Sequence, residues 1–74
     1  MRAMDAFREV MELKGFRPTD ICEKLGIKSN VLSERFKQKN VSVTKLNEML
    51  AVMDYKIAIV PCDAELPKNA YEIE

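Results

Sequence analysis

Seventy-four residues, 47% of them hydrophobic and 32% charged with a formal net charge of zero, make one small domain. A core of that size supplies about 3 to 5 kcal/mol, so self-association is the expected supplement. The chain has no His, and its two cysteines, Cys22 and Cys62, stand far apart, which excludes histidine general-base catalysis and leaves no ligand set for tetrahedral zinc.

Residues 1–14 place Ala3, Met4, Phe7, Val10, Met11 and Leu13 near a 3.6-residue period, which predicts a first helix ending at Gly15 before Phe16 carries the chain inward. Pro18 suits the first position of a second helix, where its missing N–H costs nothing, and Asp20 falls in the positively polarised first turn. Ile21, Cys22 and Leu25 form its apolar stripe, and Gly26 ends it. A third helix is expected over about 29–38, capped at Lys28 or Ser29, with Leu32 and Phe36 buried and Asn30, Ser33, Glu34 and Lys37 on the opposite side. Ser42 is a good N-cap for a fourth helix, on which Val43, Leu46, Met49, Leu50 and Met53 repeat at three- and four-residue intervals. Met4, Met11, Met49 and Met53 read as core filler.

After Asp54 the period changes to two. Tyr55, Ile57 and Ile59 alternate with Lys56, Ala58 and Val60 until Pro61, a strand pattern. One strand needs a partner: either the piece at 71–73, beyond turn signals at Pro67 and Asn69, or the same strand of a second copy. The tail at 62–74 is either a second strand with a turn or a frayed end. The expected organisation is thus a helical domain over 1–54 and a strand and tail over 55–74 serving dimerisation. No apolar run approaches the roughly 18 residues of a membrane span, and free thiols are expected without a secretory signal, so the chain reads as soluble and cytoplasmic.

Zero net charge conceals segregation. Residues 1–23 carry four basic and five acidic groups, residues 24–45 six basic groups against Glu34 alone, and residues 46–74 two basic against six acidic. A cationic middle between acidic ends is an electrostatic footprint for a polyanion, although a solvated helix face gives the same count. Two short helices joined through Leu25, Gly26 and Ile27, the second polar on one side, form the arrangement that places a helix in the DNA major groove. Glycine suits the bend because positive φ is wanted there, and Leu25 and Ile27 tie both helices to one core.

At these residues, Gly15-Phe16, Ile21-Cys22, Leu25-Gly26-Ile27, Leu32 and the helix from Ser42, the chain resembles the phage-repressor (Cro and Xre type) helix-turn-helix family, over about residues 7–53. The resemblance implies a mainly α fold of four to five helices, followed by a short C-terminal β-strand or hairpin. In that family a small residue occupies the place of Cys22. The stretch 49–61 is also similar to small relatives and antitoxins that dimerise through a strand after the domain. Three positions depart from the pattern: Pro18 replaces a Gln that anchors the DNA backbone, Arg35 a usually apolar residue, and Asp54 a common Gly.

The expected function is therefore sequence-specific binding of double-stranded DNA by a homodimer acting as a transcriptional regulator, most simply a repressor. Asn30, Ser33, Glu34 and Lys37 would meet base edges, and Thr19, Lys28, Ser29, Lys39 and Asn40 the backbone. Tyr55, Ile57 and Ile59 would form the dimer contact. The alternative is a protein-interaction module, such as an antitoxin bound to its toxin or a phage-encoded modulator, motivated by the acidic tail, Pro18 and the zero net charge. No enzyme, metal or cofactor is expected, since there is no nucleophile motif and the only glycines are Gly15 and Gly26.

Overall fold

The computed structural model describes every residue except Lys39. Four helices follow in order: α1 (Ala3–Lys14), α2 (Pro18–Leu25), α3 (Ser29–Lys37) and α4 (Val43–Ala51). The described chain is thus mainly helical, and no helix in it is long and apolar enough to cross a membrane.

Local chemistry sets the ends of these helices. Gly15 and Gly26 both adopt positive φ, 72° and 68°. The N–H groups just beyond them turn back five residues, Phe16 to the Met11 carbonyl at 2.8 Å and Ile27 to Cys22 at 3.1 Å, which closes orphan carbonyls at each helix end. At α4 the same closure is made by Asp54 at φ 61°, with Tyr55 N–H reaching the Leu50 carbonyl at 3.0 Å. Asp tolerates this conformation better than most residues with a Cβ. Ser42 Oγ accepts from Lys45 N–H at 3.2 Å, the N-cap expected for α4. Lys28 rather than Ser29 caps α3, without a side-chain hydrogen bond.

One core joins all four helices. Phe7 and Val10 of α1, Ile21 and Cys22 of α2, Leu32 of α3 and Leu46 and Met49 of α4 are all buried in it. Met4, Met11 and Met53 are buried too, as gap-filling methionines should be. Phe7 and Phe36 lie with ring centroids 6.0 Å apart, and the Arg8 guanidinium sits 4.6 Å above the Phe36 ring, so α1 grips the C-terminal half of α3 through an aromatic pair and a cation.

Two stripe positions correct the sequence reading. Leu13 is 47% exposed because it precedes the Gly15 turn, where the chain leaves the core, and Val43 is 68% exposed because it is the first residue of α4, ahead of the stripe that packs.

The C-terminal strand or hairpin is a further correction: among the described residues no strand ladder forms, and there is no fifth helix. Residues 55–60 run on without turn or bend, and no strand bridge pairs them with the tail. It makes two turns, closed by Ala64 N–H to Pro61 O and Ala70 N–H to Pro67 O, both at 3.1 Å. Beyond them Glu74 N–H reaches the Met1 carbonyl at 3.0 Å, so the tail pairs with the start of the chain instead. Tyr71 packs against the core, and Tyr55 Oη donates to the Asn69 carbonyl at 3.0 Å. Desolvation, with Tyr55, Glu9 and Glu12 nearby, raises the Tyr71 phenol above its ordinary 10.0. The tail is therefore a strap on its own domain, neither a second strand nor a frayed end.

Candidate nucleic-acid interface

The bend at Gly26 decides which way α3 points. Its positive φ lets α2 stop abruptly, and α3 starts three residues later after Ile27, which packs half-buried on the core. A Cβ at Gly26 would meet nothing within 4 Å, so the position needs glycine for its backbone conformation and not for room. Gly26→Ala should accordingly cost about 1 to 2 kcal/mol, the price of a left-handed residue with a Cβ, read as a lower urea midpoint with an unchanged circular dichroism spectrum.

Leu32 anchors α3 at 2% exposure, helped by the half-buried Phe36, and this pins the rotation of the helix about its axis. At 100° per residue Asn30, Ser33, Glu34 and Lys37 then fall together on the far side, and all four are exposed. Arg35 lies between the two faces, half-buried, at a position where the family resemblance implies an apolar side chain. Arg8 escaped the sequence reading. It lies outside the basic middle segment, and only the packing of α1 on α3 brings its charge to Phe36. A signal existed in the sequence only as Arg8 directly following the core residue Phe7.

Of the expected backbone-contact residues, Thr19, Lys28, Ser29 and Asn40 are all exposed, and Lys39 lies outside the described residues. Lys28 and Ser29 stand at the start of α3, whose first turn contains no acid, so its N-terminal dipole is not already neutralised. Thr19 is differently placed. Asp20 Oδ2 accepts from Arg17 N–H at 2.8 Å and lies 3.5 Å from Arg17 Nε, so a carboxylate already occupies the first turn of α2. That backbone hydrogen bond, with the Arg17 charge, holds the Asp20 carboxyl below its usual 3.8. Pro18 removes one N–H from the same turn. The start of α3 is therefore the better anion site of the two.

Among the described residues the only ion pairs are Arg17 with Asp20 and the Met1 ammonium with Glu74. Lys24, Lys28, Arg35, Lys37 and Lys45 consequently keep their charges uncompensated by a contacting carboxylate. No described group of His, Cys, Asp or Glu could hold a metal ion, and both thiols are free, Cys22 buried and Cys62 exposed. Tyr55 and Ile57 are half-buried against the core and Ile59 is wholly exposed, so the three residues expected at a dimer contact do not form one surface within the chain.

Compared with protein-family models, curated proteins and solved structures, the chain shows no significant match to any of them.

Proposed function

We propose that this chain is a sequence-specific double-stranded DNA-binding protein of the phage-repressor (Cro and Xre type) helix-turn-helix kind, working as a homodimeric transcriptional regulator. The observation that carries the reading is the sidedness of α3: Leu32 is held in the core, and Asn30, Ser33, Glu34 and Lys37 share one exposed face. A helix of this width fits the major groove, where Asn pairs with an adenine edge, Ser with several bases and Lys with guanine or a phosphate. Glu34 accepts from a cytosine amino group and repels phosphates, so it selects against sequences that bring the backbone close.

Positioning comes from charge. Lys28, Ser29 and Asn40 flank the reading face, and the uncompensated cations around it replace counterions on the phosphates without reading sequence. Two such helices in a dimer address half-sites about 34 Å apart, so the target is an inverted repeat. Repression follows where that repeat overlaps a promoter.

Fluorescence anisotropy of labelled duplex DNA across a salt series tests this directly. With about three to five phosphates neutralised per protomer, a dimer gives a slope of log K against log salt between about −5 and −9. Affinity that does not change with salt, or no binding at dissociation constants below about 10⁻⁴ M, contradicts the proposal. A protein partner co-purifying in place of DNA would favour the interaction-module reading, for which the acidic tail is the supporting feature.

A further inference from the structure

Arg8 brings a cation of α1 onto the flank of the reading helix. At about 100° per residue Phe36 lies about 40° round α3 from Leu32, on the side of Ser33 and Lys37, whereas Arg35 lies about 60° to the other side. The Arg8 guanidinium covers Phe36, 4.6 Å from the ring centroid, so it borders the exposed face of α3 on the flank where Lys37 stands. Phe36 and Lys37 are also the last two residues of that helix, which puts the two cations at the same end of the face.

Packing does not use up what Arg8 can do. Stacking on a ring occupies the flat side of a guanidinium and leaves its N–H groups, which lie in the plane, free to donate outward. Arg8 is exposed, and among the described residues its side chain donates no hydrogen bond and pairs with no carboxylate. Asp5 and Glu12 stand one turn away on α1, and neither forms an ion pair with it. The ring beneath holds the plane of the group, so less freedom is lost when a ligand is bound. A held, unpaired guanidinium suits a phosphate, whose oxygens accept two parallel N–H bonds. A base edge suits it less, because Arg8 belongs to α1 and not to the helix that fills the groove.

We propose that Arg8 contacts a DNA phosphate beside Lys37, so that α1 grips the backbone while α3 reads bases. This inference rests on the DNA-binding reading above and adds to it a contact from outside the basic segment 24–45. Phe36 takes part through its ring: the aromatic that joins α3 to α1 also sets where the guanidinium sits. The contact carries no sequence information, since every phosphate is alike.

Fluorescence anisotropy of a labelled random-sequence duplex across a salt series compares the parent with Arg8→Met, Arg8→Gln, Arg8→Lys and Lys68→Met, each checked for folding by its urea midpoint. Arg8→Met keeps an apolar cover on the Phe36 ring without the charge, and Arg8→Gln removes the charge with a different side chain. In both, the slope of log K against log salt should shrink by about 0.9 per protomer. Arg8→Lys should restore the slope, with affinity below the parent's because the fork is gone. Lys68→Met removes an exposed cation of the tail and should leave the slope unchanged. A slope that stays at the parent's value in both neutral variants overturns the contact, even where the urea midpoint falls, and leaves the groove-reading role of α3 standing. An equal drop from Lys68→Met also overturns it, because net charge and not position would then set the slope. A parent that does not bind the duplex contradicts the DNA-binding reading itself, and the contact with it.

Discussion

Phe7→Ala should leave the domain largely unfolded at room temperature. Phe7 is fully buried, lies on the Phe36 ring and belongs to the cluster joining all four helices. Truncating such a residue costs about 3 to 5 kcal/mol through lost transfer energy and the cavity left behind. A core of this size supplies about as much in total. The aromatic pair goes with it, so α3 loses part of its hold on α1, with the Arg8 guanidinium over the Phe36 ring left in place. Leu13→Ala on the same helix is the control, because Leu13 is already exposed and should change stability by less than about 0.5 kcal/mol. Urea titrations followed by circular dichroism, run at low protein concentration to remove any contribution from the dimer, separate the two. A Phe7→Ala midpoint close to that of Leu13→Ala contradicts the packing described above.

The second large effect concerns binding. Lys37→Ala removes one exposed cation from the reading face of α3, and if that cation neutralises a phosphate the salt slope falls by about 0.9 per protomer, with affinity lost uniformly across sequences. Asn30→Ala removes a two-pronged hydrogen-bonding group instead. Its expected cost is about 1 to 3 kcal/mol on the preferred sequence and little on others, so preference relaxes at one base position of each half-site while the salt slope stays nearly constant. Neither side chain packs in the core, so both variants should keep the parent's urea midpoint. Equal losses on all sequences from both changes would mean that Asn30 reads no base.

Much of the helical scaffold was legible because local chemistry decides it. Gly15 and Gly26 stop helices where positive φ is needed, Pro18 and Ser42 mark starts, and the spacing of Phe7, Leu32, Leu46 and Met49 identifies the inward faces. The exposed face of α3 followed from Leu32 and Phe36 alone, since fixing two residues four apart fixes the opposite side. What periodicity cannot give is where a stripe runs out. Leu13 and Val43 obey the spacing but lie at helix ends, beyond the reach of the core. Nor does it give the path of the tail, which depends on long-range contacts such as Tyr55 with Asn69 and Glu74 with Met1. The alternation at 55–60 matches the burial of Tyr55, Lys56 and Ile57 and goes no further, since Ile59 is wholly exposed. A strand, however, is defined by its partner, and the tail does not provide one.

Selection of binding sites from a pool of random duplexes, carried out in parallel with the parent chain and Asn30→Ala, bears most directly on the claim that the exposed face of α3 reads base edges. The parent should enrich an inverted repeat whose half-sites lie about one helical turn apart, and Asn30→Ala should retain the repeat while losing preference at one position in each half. A parent chain that returns the pool unenriched, or two identical motifs from parent and variant, would contradict it.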